Sequence, residues 1–222
     1  MKSILSVAVA FLALTRIAAA AGQAPVAVVE DVQGKVTGVQ FMDYVVPGQV
    51  IKLGEGGTVT LSYMKSCWRE TISGIGTVLV GTDQSSVHLS QFKADKVPCD
   101  PSQAERISKQ TSESAATVVR SLNITPESPP LVLHGQSPMV AVSERGKLEI
   151  ERLDVTGEHH EVDLSMAPLT RGKFYDLAKA NIALTPGGTY SIALNSKSAK
   201  IVVAADARPG ASPVIGRLVP LQ

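Results

Sequence analysis

Cysteine is almost missing from this 222-residue chain: there are two, Cys67 and Cys99. That excludes a CxxC redox pair and a four-cysteine metal centre, and it leaves one possible bridge. Aromatic residues make up only 4%, which argues against a surface of exposed rings on which sugars stack. Neither charge sign dominates, with 21 basic and 20 acidic side chains. The balance is also even along the chain: residues 21–100 carry 6 basic and 8 acidic groups, and residues 101–222 carry 13 and 12. Such a chain exerts no long-range pull on phosphate or anionic lipid, so nucleic acid is disfavoured as a partner. Long apolar runs are absent too; the longest, Ile4 to Leu14, is short for a membrane span.

That run is the first positive feature. Lys2 precedes it, and Ala18, Ala19, Ala20 and Ala21 follow it with small side chains suited to cleavage. The order of a positive start, an apolar stretch and small residues predicts a secretory signal over residues 1–20. Arg16 lies awkwardly between the apolar run and the alanines, as it would in an uncleaved amphipathic anchor. Without Lys2 and Arg16 the basic count falls to 19 against 20 acidic, a net charge of −1. The expectation is a periplasmic or secreted protein with no transmembrane segment after cleavage. In that compartment Cys67 and Cys99 are expected to form a disulfide, the alternatives being a free reactive thiol or a metal-binding pair. Thirty-one residues lie between them, and chain entropy then gives about 3–4 kcal/mol for closing the loop.

The rest of the chain is patterned for sheet. Valine, isoleucine and leucine recur in short runs from Val26 to Leu61, broken by Gly34, Gly38, Pro47-Gly48, Gly54 and Gly56-Gly57. Thr58 to Tyr63 alternates cleanly, and the theme continues from Ile72 to Val80. Ten of the 18 glycines fall between residues 22 and 81, a density that helices do not tolerate. Asp100-Pro101 opens the best helical signal, with Asp100 as cap and Pro101 at the first position, which predicts a short helix over about 101–112. A strand is expected at Ala116–Arg120, and Thr125 to Pro130 (TPESPP) reads as a linker. Strands follow at Leu131–His134, Met139–Ser143, Lys147–Leu153 and His159–Leu164, the last two joined through Asp154–Gly157. A second hairpin, Thr189–Leu194 with Lys200–Ala205, turns at Asn195–Ser198, and Arg171 to Ala180 reads as a helical or irregular crossing.

Two resemblances are carried by these residues. Gly34-Lys35-Val36, Pro47-Gly48, Gly54-Glu55-Gly56-Gly57 before Thr58-Val59-Thr60-Leu61, and Gly74 to Gly81 resemble the FecR-like domain of bacterial envelope proteins. The likeness spans about 50 residues, Val32 to Val80. It implies a β module of the envelope; trans-membrane anti-sigma signalling does not come with it, because no span or cytoplasmic region accompanies the match. Leu184-Thr185-Pro186-Gly187-Gly188-Thr189-Tyr190 resembles the tyrosine corner of immunoglobulin-like and fibronectin-like domains, in which the Tyr190 hydroxyl would return to the backbone upstream. Over its length the chain is similar to exported proteobacterial proteins joining such a module to a sandwich, on Cys67-Trp68-Arg69-Glu70 and Val214 to Leu218. No activity accompanies that likeness.

Few residues are candidates for chemistry. Glu158-His159-His160-Glu161 with Asp163 is the one cluster of metal-ligand type: on a strand His159, Glu161 and Asp163 share a face and could hold Zn²⁺ weakly, or simply form a solvated face. Ser62-Tyr63-Met64-Lys65 matches a bare S-x-x-K, but in a strand pattern rather than at a helix start. Gly74 and Gly76 lack the strand-to-helix setting of a dinucleotide loop. His88 has neither a nucleophile nor an orienting group assigned to it, and Arg69-Glu70 reads as a local ion pair of little weight.

The expected architecture is therefore mainly β: a signal over 1–20, a FecR-like module over 25–100, a helix and strand connector over 101–125, and an immunoglobulin-like sandwich over 126–222. The expected function is that of a non-enzymatic envelope scaffold or interaction module without cofactor, its partner another envelope protein. The alternatives are a glycan- or metal-binding protein and a hydrolase with a dispersed site.

Overall fold

The computed structural model describes residues 23–113 and 129–221. The signal-like segment, the strand expected at Ala116–Arg120 and most of the Thr125–Pro130 linker lie outside the described residues.

The fold is mainly β, as the glycine-punctuated alternation implies. The first half contributes nine strands: β1 Ala27–Gln33, β2 Val36–Thr37, β3 Tyr44–Val45, β4 Val50–Leu53, β5 Thr58–Tyr63, β6 Trp68–Ser73, β7 Gly76–Leu79, β8 Ser86–His88 and β9 Gln91–Lys96. They form a five-stranded sheet, β3-β1-β5-β6-β9, and a four-stranded one, β2-β4-β7-β8. The inward side chains, Val29, Ile51, Leu53, Val59, Leu61, Ile72 and Val78 among them, fill one core. The turns must be tight, and glycine supplies them. Gly34 has a φ of +63°, and a Cβ there would lie 2.1 Å from the Gly56 carbonyl oxygen.

Helix α1, Gln103–Glu113, follows. Asp100 starts it as anticipated: its Oδ1 accepts from the Ser102 amide at 2.9 Å, while its Oδ2 accepts from the Val132 amide at 2.9 Å. One carboxylate thus closes the turn that leads into the helix and ties it to the second half.

The second half contributes β10 Leu131–Gly135, β11 Met139–Ala141, β12 Lys147–Arg152, β13 His159–Asp163, β14 Phe174–Asp176, β15 Thr189–Leu194, β16 Lys197–Arg208 and β17 Leu218–Pro220. Sheet β10-β16-β15-β12-β13 faces sheet β14-β11-β17 across a core that includes Leu133, Val140, Leu148, Ile192, Ile201 and Val219. The crossing from Arg171 to Ala180 is not simply irregular: β14 lies within it and pairs antiparallel with β11.

A third core joins the two halves. Val28 and Met64 from the first half, Ile107 from α1, and Met139, Phe174, Ile215 and Leu218 from the second are all buried together. Strand β1 makes this possible because both of its faces are covered: Ala27 and Val29 point into the first core, and Val28 points into the shared one. Tyr44 meets Phe174 edge to face at 5.9 Å.

Candidate functional site

The two cysteines are bonded, with Cα atoms 5.7 Å apart. Cys67 sits in the β5–β6 turn, and Cys99 lies where the chain leaves β9 for α1. The bridge therefore fixes the exit of the first half against its own sheet. Trp68, next in sequence, packs on the first core and receives the Lys96 ammonium over its ring at 4.7 Å.

Tyr190 is fully buried in β15. Its hydroxyl accepts from the Thr185 amide at 2.9 Å and donates to Glu158 Oε2 at 2.7 Å. The first contact is the upstream return to backbone that the local sequence suggested; the second, to a residue 32 positions away, was invisible in it. Arg152 joins the group, donating to Glu158 at 3.1 Å and to both Asp154 oxygens at 3.0 and 3.1 Å. Arg152 and the Thr189 amide hold Asp154 down at about 2. Burial pushes Glu158 up, but donation by Tyr190, Thr185 and Arg152 outweighs it and holds the carboxyl below its ordinary value. The cluster locks the β12–β13 turn to the start of β15.

His159, Glu161 and Asp163 lie on the exposed face of β13, the end strand of its sheet. They do not converge. Glu161 pairs across the strands with Lys147 at 2.8 Å, and Asp163 accepts from the Ser165 amide at 2.8 Å. Among the described residues no group of three or more His, Cys, Asp or Glu side chains is placed to hold a metal ion.

Arg69 and Glu70 do not pair with each other. Adjacent strand residues point to opposite faces, so each finds a distant partner. Arg69 Nε donates to Glu30 Oε2 at 2.7 Å, and the Ile215 amide donates to Glu30 Oε1 at 3.0 Å. Glu30 is the extra residue of a bulge in β1, where pairing jumps from Val29↔Leu61 to Asp31↔Thr60. The bulge turns an acidic side chain into the junction between the halves. Glu70 points into the first core, where its oxygens accept from the Ser85 amide at 3.0 and 3.2 Å, and Ser85 Oγ meets Tyr63 Oη at 2.8 Å. Burial raises the Glu70 carboxyl, opposed by the bonds from Ser85.

Sequence reasoning missed the most deeply buried ion pair among the described residues. Arg217, 2% exposed, donates to Asp176 at 2.7 and 3.3 Å, to the Ser137 carbonyl at 2.9 Å and to the Ala211 carbonyl at 2.7 Å. Four of the five N–H donors of its fork are engaged. A cleft of about 220 Å³ lies beside it between the halves, lined also by Lys96, His134, Asp206 and Arg208. Two of its cations are already engaged: Arg217 as described, and Lys96 with the Ser66 carbonyl and the Trp68 ring. His88 ends β8 on the surface, and Ser62 of the S-x-x-K stretch is buried inside β5.

Sheet ends are among the features left open. Strands β9 and β13 terminate the two five-stranded sheets, and nearly every residue of β9 is exposed. No helix among the described residues is long and apolar enough to cross a membrane. No family model, curated protein or solved structure matches the chain.

Proposed function

We propose that the protein is an exported, non-enzymatic interaction module of the cell envelope that holds another envelope protein by adding it to a sheet end, with β13 as the receiving strand. The disulfide and the signal-like start support an oxidising compartment. The FecR-like pattern of Val32 to Val80 supports the envelope. What carries the reading is the contrast between buried chemistry and open edges. The enclosed ionisable groups Glu30, Glu70, Glu158, Asp176 and Arg217 are each bonded to a structural partner. Strand β13 offers backbone to an incoming strand, which is a general route of recognition.

Its geometry specifies the test. The Arg152 amide bonds the Glu158 carbonyl and the Leu164 amide bonds the Gly146 carbonyl, so the even-numbered residues of β13 face β12. The amides of His159, Glu161 and Asp163 then face outward. Proline at an outward position removes a donor from the free edge while leaving the pairing to β12. Affinity capture from native envelope with the unaltered chain and with Glu161→Pro is expected to retain a defined partner in the first case and lose it in the second. Equal capture by both would contradict the reading.

A further inference from the structure

Strand β9 is another sheet end, and its sequence, Gln91-Phe92-Lys93-Ala94-Asp95-Lys96, is self-complementary. We infer that β9 pairs antiparallel with β9 of a second copy of the chain, about a two-fold axis through Ala94, to give a homodimer with one continuous ten-stranded sheet.

The backbone of β9 limits how a second strand can join it. The Val97 amide donates to the Cys67 carbonyl at 3.0 Å, and β9 pairs antiparallel with β6 in unbroken register from Trp68↔Lys96 to Ser73↔Gln91. In an antiparallel pair the bonding residues alternate. Gln91, Lys93 and Asp95 therefore spend their backbone groups on β6, and Phe92, Ala94 and Lys96 turn theirs to the free edge. A second strand can bond only through those three, so the possible registers differ by two residues.

Side-chain charge then selects among them. Lys93 and Asp95 stand on the face opposite Phe92 and Lys96, exposed at 77% and 59%, and 3.2 Å from each other. With Ala94 opposite the partner's Ala94, Lys93 faces the partner's Asp95 and Asp95 faces the partner's Lys93. Four charges then alternate in sign around the axis. Sliding the register toward Phe92 sets Lys93 against the partner's Lys93. Sliding it the other way sets Asp95 against the partner's Asp95. Like charges directly opposite destabilise a pair and unlike charges stabilise it. Lysines on an edge strand ordinarily repel a second strand; here Lys93 meets an aspartate in one register alone. In that register Phe92, 46% exposed, lies against the stem of the partner's Lys96. A closed two-fold contact of this kind is self-limiting.

The inference concerns β9 and stands apart from the partner assigned to β13, so either can fail alone. Sedimentation equilibrium of the purified chain over a range of concentrations reads it directly, with circular dichroism confirming that each variant folds. A reversible monomer–dimer equilibrium is expected. Lys93→Asp alone and Asp95→Lys alone each create two like-charge pairs and should weaken the dimer by about tenfold or more. The double exchange, Lys93→Asp with Asp95→Lys, restores unlike pairs and should return association to near the original strength. Ala94→Pro, which removes an outward amide, should leave monomer. A chain that stays monomeric at every concentration overturns the inference, as does a dimer indifferent to the single reversals or not rescued by the double exchange.

Discussion

Glu70 is the residue at which burial and charge conflict most openly. It lies at 0% exposure with the Ser85 amide and hydroxyl group as its partners, and burial raises its carboxyl above the ordinary value. A raised acid favours the neutral form in the folded state. Its stabilising contribution is therefore complete below the unfolded value, about 4.3, and is lost as pH climbs through the folded one. Glu70→Gln keeps an oxygen for the Ser85 amide and removes the charge. The variant is expected to be more stable than the parent at pH 7 and to match it near pH 4. Denaturant unfolding at the two pH values measures this, and a parent more stable than the variant at pH 7 would refute it. Asp154 and Glu158 run the opposite way: both are held down by donors, so their contribution is present at neutral pH and lost on acidification. The Tyr190 corner was legible because its return contact lies five residues upstream. The Glu30–Arg69 and Arg217–Asp176 pairs were not, because 39 and 41 positions separate the partners. Local sequence carries no signal for contacts at that range, and the nearby Glu70 offered Arg69 a false partner.

At the scale of elements, the chain is built from hairpins whose turns are spelled by Gly, Pro and Asn, and those hairpins could be read in advance. Thr189–Leu194 was anticipated to the residue, and the helix start was read from the Asp100-Pro101 pair. The strands that joined late were harder. Phe174–Asp176 and Leu218–Pro220 are three residues each and pair on either side of β11; a run that short shows no period of its own. Strand β16 extends from Lys197 to Arg208, well past the Lys200–Ala205 read from hydrophobic alternation, and its far end pairs with β10, Gly135 opposite Arg208. The disulfide belongs to this scale, since it ties the β5–β6 turn to the end of β9. Replacing both Cys67 and Cys99 by serine is expected to lower unfolding free energy by about 3 kcal/mol. Chemical denaturation with and without reductant checks it: reduction should reproduce the loss in the parent and do nothing to the variant. An unchanged midpoint in both would show that the bridge constrains nothing.

For the whole molecule, the shared core decides what is available for function. Val28, Met64, Ile107, Phe174 and Ile215 close the space between the halves, and Glu30 and Arg171 stitch it, Glu30 to the Ile215 amide and Arg171 to Asp43 at 3.0 Å. Besides an opening of about 540 Å³ lined by Tyr44, Ser143, Arg171 and Phe174, what remains between the halves is the cleft of about 220 Å³ beside Arg217. In the function proposed above, recognition lies at the ends of the two long sheets. The most direct test is photo-crosslinking in the native host, with a photoreactive residue placed at His159 on β13 in one strain and at Arg208, which lines the cleft, in another. A discrete adduct to a second protein from position 159, with none from position 208, is the predicted result. Adducts that form only from position 208 would contradict it and return the search to the cleft.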